Sequence, residues 1–414
     1  MHRPQHVTSN KPVDIKYHNQ KLVLALFRQT GALSVAEIAD KTKLSKTTVA
    51  KILDGFERKR LVLALGKGAS TDVGGKKPER FAFNPNYANI ITLTITHDKV
   101  IGAVSNLKCN LSCQREVDCG TNIGYRETLE LLSQLVLDLM RDADLTAADL
   151  CAIVLGCEGI VDAENGILNY ALYHPWDNKL SIRDDLARLL PFSVAILVDN
   201  NARLAGYAHM ILNADQYGTI AVISTYHYAG GCLMEAKKLV RGANGFVGEF
   251  GHMILEPDSD VRCHCGCNGC FGALVAPETV LAEAAERGAH RPNSTLAPVL
   301  AKGSLTIEDI FEAANEGDVF ARELLDLSVR YFALLIHNIT ILCDPVKFII
   351  QGIYTNAGPY FLDSLMKKVG SLPFYKTERP LSVSFTPIPV FNAYLVGAAY
   401  YAVDEFLDDN SLYD

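Results

Sequence analysis

The sequence predicts a mixed α/β protein in two parts: a small N-terminal winged helix-turn-helix over residues 1–85 and a larger α/β body over residues 86–414. Three observations carry this. Charge changes sign along the chain, since residues 1–80 hold 16 Lys and Arg against 7 Asp and Glu, net +9, while the remainder holds 23 against 40, net −17. Beyond residue 89, strand-like apolar runs alternate with amphipathic helical runs, the pattern of a layered α/β architecture. Before residue 60, short amphipathic segments are separated by turn residues and helix-start signals.

The first helix is expected from Tyr17 through HNQKLVLALFRQT, with Leu22, Ala25 and Leu26 on one face and Gly31 as its stop. Ser34 and Glu37 form a capping box for a second helix, VAEIADKT, because hydroxyl and carboxylate each satisfy a backbone N–H at the helix start. After the turn at Lys43 and Leu44, Ser45 caps a third helix whose Val49, Ile52, Leu53 and Phe56 recur at i, i+3, i+4, i+7. Its other face offers Lys46, Thr47, Thr48 and Lys51. Small hydroxylated and basic residues at the start of the second of two short, tightly joined helices suit entry into the DNA major groove. LVLAL and PERFAFNP then read as two strands around a Gly-rich basic loop, a wing whose Lys67, Lys76, Lys77 and Arg80 are expected to meet phosphate or the minor groove. A three-helix bundle that binds protein is the competing reading, and the basic face, wing and local net charge favour double-stranded DNA.

Hydrophobic residues at 49% and charged residues at 21% indicate a folded chain with a sizeable core, and 30 Gly with 16 Pro exclude collagen-like repeats. The polar opening MHRPQHVTSNKPVD lacks the apolar centre of a secretory signal, and no run approaches eighteen uninterrupted apolar residues. The expectation is a cytoplasmic protein without membrane insertion.

In the body, NIITLTIT, LCAIVLG, VAILVDN, TIAVIST and VKFIIQGI read as strands. ETLELLSQLVLDLMRDA, LSIRDDLARLL, FARELLDLSVRYFALLIHNITIL and NAYLVGAAYYAVDEF read as helices. Four of the eleven cysteines crowd into residues 263–270, which points to metal rather than to disulfides. Zinc takes four thiolate or imidazole ligands, and Cys263, Cys265 and Cys270 on a Gly-containing turn supply three. His252, one short excursion upstream, is the best fourth, with Cys267 and His264 left open by spacing; free redox-active thiols are the competing reading.

G-E-x-G-H at residues 248–252, C-x-C-G-x-x-G-C at residues 263–270 and RGANG at residues 241–245 together resemble the ROK family of repressors, uncharacterised reading frames and sugar kinases. The resemblance extends from about residue 15 to the final helix, through G-x-x-G-I-V-D at residues 156–162 and DPVKFIIQG at residues 344–352. It implies an actin-like (ribonuclease H-like, sugar kinase type) body of two lobes with a sugar cleft between them. It also implies one structural zinc per chain, held by His252, Cys263, Cys265 and Cys270, with Cys267 as an extra thiol. A winged helix ahead of the body makes the chain similar to the xylose and N-acetylglucosamine repressors rather than to the kinases.

Phosphoryl transfer needs Gly-rich turns around the phosphates and a carboxylate to take the hydroxyl proton. The family's first phosphate turn, D-x-G-G-T, corresponds here to Thr94-Ile95-Thr96-His97-Asp98, and the second, G-T-G, to Tyr226-His227-Tyr228. The family's E-N-D-A-N reads Asp199-Asn200-Asn201-Ala202-Arg203, so the base position holds an amide, which cannot accept that proton. By the same resemblance the sugar contacts become Asn200, Asn201, Glu249 and His252, with Gly272 where a second carboxylate would be. A cap or supporting carboxylate is the competing reading for Glu249. These departures imply a DNA-binding transcription regulator without enzymatic activity, a repressor of carbohydrate-related genes working as a homodimer or homotetramer and answering to a sugar or sugar-phosphate effector. The alternative is an active ATP-dependent sugar kinase fused to a DNA-binding domain.

Overall fold

The computed structural model describes residues 12–67, 78–171, 174–213, 218–226, 228–372 and 381–414. The chain opens on helix α1 (Pro12–Gln29), a turn earlier than Tyr17. Its buried residues are Val23, Leu24 and Phe27, whereas Leu22 is 38% exposed and Ala25 faces solvent. This corrects the expected face. Six consecutive apolar residues at positions 22–27 leave periodicity unable to choose a stripe, and contact with the neighbouring helices decides it.

Strand β1 (Leu33–Ser34) leads into α2 (Val35–Thr42), whose capping box forms as the sequence predicts. The Ser34 N–H donates to Glu37 Oε2 at 2.7 Å, and these bonds hold the Glu37 carboxyl below the usual range. Lys43 turns the chain in the left-handed region at φ 61°, and Ser45 Oγ accepts the Thr48 N–H at 3.1 Å to start α3 (Lys46–Arg58). Val49, Ile52, Leu53 and Phe56 are buried as expected. Strands β2 (Val62–Lys67) and β3 (Glu79–Phe83) complete an antiparallel sheet of order β1-β3-β2.

Two further sheets form the body. Strands β4 (Asn89–Ile95), β5 (Lys99–Asn106), β6 (Leu111–Asp118), β7 (Leu150–Cys157) and, beyond a small hairpin of β8 (Ile160–Asp162) and β9 (Ile167–Tyr170), β10 (Ile196–Asn200) lie in the order β10-β7-β4-β5-β6. Helices α4 (Tyr125–Asp142) and α5 (Ile182–Leu189) share a core with this sheet. After α6 (Asn201–Leu212), strands β11 (Ile220–Thr225), β12 (Ala229–Glu235), β13 (Lys238–Leu239), β14 (Lys347–Gly352) and β15 (Ser382–Phe385) lie in the order β13-β12-β11-β14-β15. Counted within each lobe, both sheets run 3-2-1-4-5, with strands 1, 4 and 5 parallel and strands 1, 2 and 3 antiparallel. The body is thus the same sheet built twice.

The second sheet shares its core with helices from α7 (Phe271–Leu274), α8 (Pro277–Gly288), α9 (Ala297–Ala301), α10 (Ile307–Glu316), α11 (Val319–Cys343) and α12 (Gly358–Gly370). Helix α11 is long and apolar enough to cross a membrane by length and composition, yet 56% of its most apolar window is buried among these elements. Helix α6 and the last helix, α13 (Val390–Asp408), cross each other, with α6 against β12 and α13 against β4 and β7. Tyr207 stacks on Tyr401 at 5.5 Å there. Beyond α13, Leu412 and Tyr413 enter the same core as α1 and α3, Lys59 Nζ donates to the Leu412 carbonyl at 3.0 Å, and Lys21 pairs with Asp408 at 2.7 Å.

The crossing of α6 and α13 depends on Gly397, where an added Cβ would stand 1.8 Å from the Leu204 carbonyl oxygen. Gly397→Ala is expected to cost about 1–3 kcal/mol as overpacking and to lower the calorimetric Tm. Gly55→Ala on α3, where an added Cβ meets nothing within 4 Å, is expected to gain about 0.5–1 kcal/mol from helix propensity and to raise it. Equal effects of the two substitutions would show that the crossing is not the tight point.

Candidate functional site

Ser45, Lys46, Thr47 and Lys51 stand exposed along one face of α3, with Thr48 half-buried beside them. Ser45 Oγ lies 2.8 Å from Thr47 Oγ1 and 2.9 Å from Thr48 Oγ1, so the start of the helix presents a cluster of hydroxyls. In the expected wing, Lys67 ends β2, while Lys76 and Lys77 lie outside the described residues. Arg80 departs from expectation. Its guanidinium donates to the Ala32 carbonyl and lies 4.0 Å from Glu37, because pairing of β3 with β1 turns it back onto the start of α2.

The structure brings His252, Cys263, Cys265 and Cys270 together, with their ligand atoms all within 4.8 Å of one another. His252 ends a single 3-10 turn (Phe250–His252) and Cys270 precedes α7. The loop between them folds on itself through the Cys263 N–H to the Cys267 carbonyl at 2.8 Å and the Gly266 N–H to the Cys263 carbonyl at 2.9 Å. Tetrahedral ligands about 2.3 Å (sulfur) and about 2.0 Å (nitrogen) from one ion stand about 3.5–3.8 Å apart. Here Cys263 Sγ is 3.5 Å from His252 Nδ1 and Cys265 Sγ is 3.7 Å from Cys270 Sγ. Cys267 is exposed outside this group, and the His264 ring meets Tyr228 edge-on at 5.6 Å instead.

In the cleft, rings occupy the facing turns: His97 of the first lobe meets Tyr228 of the second edge-on, 5.9 Å between centroids. Asn201 is buried, accepting from Thr94 Oγ1 at 2.7 Å and donating to the Ile95 carbonyl at 2.8 Å. Asn200 caps α6 by accepting from the Ala202 N–H at 2.8 Å and donates to the Gly159 carbonyl at 2.8 Å. Both amides expected at the effector are therefore engaged in holding the scaffold. Gly272 leaves little room for a side chain, since an added Cβ would stand 3.1 Å from Ala229 Cβ and 3.2 Å from the Gly251 oxygen.

The residues that sequence reasoning missed are Arg203 and Arg241. Asp199, fully buried, accepts from Arg203 Nη1 at 3.1 Å and pairs with Arg241 Nη1 at 2.6 Å. Arg203, 2% exposed, also donates to the Val161 carbonyl at 3.2 Å and to the Gly245 carbonyl, and Glu249 Oε1 lies 3.8 Å away. Burial raises the Glu249 carboxyl to about 7. Glu249 makes no side-chain cap bond to the turn it precedes. The available signals were Arg203, a charge at the start of the mostly apolar helix NARLAGYAHMIL, and Arg241 in RGANG.

The sequence profile of the ROK family matches residues 91–404. The chain belongs to the ROK family. It is 29% identical to a glucokinase of Halalkalibacterium halodurans over 225 residues, 54% of this chain and 66% of that enzyme. It is 23% identical to the xylose repressor of Bacillus subtilis over 401 residues, 95% of this chain and 97% of that protein. The crystal structure of a ROK family transcriptional regulator, a homologue of the Escherichia coli MLC protein, shares the fold with a TM-score of 0.78 at 21% identity, covering 95% of this chain and all of that one.

Asp199→Asn leaves a buried guanidinium without its carboxylate, an imbalance that costs about 3–5 kcal/mol in buried pairs. The urea midpoint of the body is expected to fall accordingly. An unchanged midpoint would show that the carbonyls of Val161 and Gly245 hold Arg203 unaided.

Proposed function

We propose that the chain is a DNA-binding transcription regulator, a repressor of carbohydrate-related genes, whose two-lobed body is a retired sugar kinase kept as a sensor. The observation that carries this is the exposed hydroxyl-rich and basic face of α3, presented after a three-residue turn on a compact head, in front of a body whose base position is a buried amide. Full-length similarity to a protein named xylose repressor supports the same reading.

Residues 1–85 form the winged helix-turn-helix head. Ser45, Lys46, Thr47, Thr48 and Lys51 meet base edges and phosphates, and Lys67, Lys76 and Lys77 reach the backbone from the wing. Arg80, tied to Ala32 and Glu37, braces the head instead. Two heads on a homodimer or homotetramer read two half-sites. Residues 86–414 carry the effector cleft and the contacts between copies. His252, Cys263, Cys265 and Cys270 fit zinc in donor type and spacing. Zinc bound there supplies a closed structural crosslink between the 3-10 turn and the Cys loop. A carbohydrate effector in the cleft, beside Glu249 and His252, alters the relation of the lobes. Helices α6 and α13 carry that change to Leu412 and Tyr413 against α1 and α3. A hundredfold change in operator affinity requires a difference of about 2.7 kcal/mol in effector binding between the two states.

Phosphoryl transfer is disfavoured on the same geometry. Asn201 cannot take a proton, and Asp199, two residues before it, is held by two arginines.

Lys46→Ala and Thr47→Ala are each expected to weaken binding to a duplex selected from genomic fragments by about tenfold while leaving the Tm of the chain unchanged. Wild-type affinity in both would show that α3 is not the recognition helix. Metal analysis should find one zinc per chain in wild type and in Cys267→Ser and none in Cys263→Ser or Cys270→Ser. Retention of zinc by the latter two would move the ligand set.

A further inference from the structure

Five large apolar side chains stand in water at one end of the second lobe. Ile211 and Leu212 close α6, Ile341 and Leu342 lie in the last turn of α11, and Val346 precedes β14. Their exposure runs from 36% at Val346 to 70% at Leu342. Topology gathers them. The parallel strands β11 and β14 both begin at this end, where the Val346 N–H donates to the Thr219 carbonyl at 2.8 Å. Lys347 Nζ donates to Asn213 Oδ1 at 2.9 Å, which ties the end of α6 to the start of β14, and only Asp344 and Pro345 separate α11 from Val346. Glu235, the last residue of β12, reaches the same place, since burial and its charge raise the Cys343 thiol.

The cores on the two faces of the second sheet are filled by other residues of the same helices, Met210 on one side and Ile336 and Ile339 on the other. The exposed five are therefore surplus to the packing of the chain. Together they leave on the order of 500 Å² of surface in water, the size at which an apolar patch on one chain marks an interaction site. A stable subunit contact takes about 800 Å² from each partner, with an apolar centre inside a polar rim. The rim here carries both signs, exposed Glu235 and Asp344 beside exposed Lys237 and Lys238.

We infer that this end of the second lobe is the contact between two copies of the chain. An apolar centre with an edge of mixed sign complements itself across a two-fold axis, because each residue that meets another is met by it in return. The local balance matters in a body of net −17, where two copies repel unless their meeting surface is apolar or neutral. Placement agrees with two heads reading two half-sites, the reading on which this inference rests. Met210 and Ile220, just inside the patch, belong to the same core as Leu412, Tyr413 and the helices of the head, so two copies joined here hold their heads on the same side.

The test is light scattering on the full chain at micromolar concentration. Wild type should contain two or four chains per particle, and Leu342→Asp and Leu212→Asp should each contain half as many, because in a two-fold contact every substitution acts twice. Val319→Asp, at the far end of α11 and as exposed as Leu342, should leave the number unchanged. All three should keep wild-type far-UV dichroism, since the side chains they replace stand in water; if Leu342→Asp loses it, Ile341→Lys reads the same contact. A monomeric wild type, an unchanged particle in both Leu342→Asp and Leu212→Asp, or equal dissociation by Val319→Asp would overturn the inference. Duplex binding by the same preparations separates the outcomes: a wild type that binds DNA but fails these tests keeps the regulator reading and loses only this contact, whereas one that passes them yet binds no duplex keeps the contact and loses the regulator reading.

Discussion

One buried carboxylate organises the centre of this molecule. Asp199 ends β10 in the first lobe and holds Arg203 from α6 together with Arg241 from the loop after β13 of the second lobe. A buried acid is stable as an anion only when its charge is answered, and here two guanidinium groups answer it, one from α6 and one from the loop after β13. The same five residues, 199–203, also cap α6 through Asn200 and tie it to Thr94 and the Ile95 carbonyl through Asn201. This stretch is a fastening between strand, helix and lobe. Its acid is committed to two ion pairs inside the structure.

Consequences spread through the crossing of α6 with α13. Because α6 starts at this fastening and α13 packs along it, a change of lobe angle has to move α13 or break the crossing. The end of α13 leads directly to Leu412 and Tyr413 in the core of the head. A net +9 over residues 1–80 against −17 for the rest then directs a polyanion to the head and away from the body. In the proposed regulator, sensing and grip are thus separated by charge and joined by one helix.

What could be read from the sequence alone was what local chemistry decides. The Ser34–Glu37 capping box, the Ser45 cap and the buried stripe of α3 form within a few residues of one another, so spacing sufficed. The crowding of Cys263, Cys265 and Cys270 was equally local, spacing favoured His252 as the fourth ligand, and family resemblance chose it over Cys267 and His264. The face of α1 was not legible, because six successive apolar residues present every face at once. Arg80 was not legible either, since its direction depends on β3 pairing with β1. Arg203 with Arg241 becomes meaningful only when the two lobes are brought together. No spacing rule covers partners that meet across a domain boundary. Asn200 and Asn201 show the converse: their identity suggested ligand contacts, and tertiary hydrogen bonds claimed them first.

The most direct test of the retired-kinase account is a phosphoryl-transfer assay of the metal-replete chain with Mg-ATP and a panel of free hexoses, pentoses and aminosugars, reading ADP release and sugar phosphate together. The account predicts no sugar-dependent ADP release above a protein-free control. Sustained formation of a sugar phosphate, abolished when Asp199 is replaced by Asn in a variant that stays folded, would contradict it.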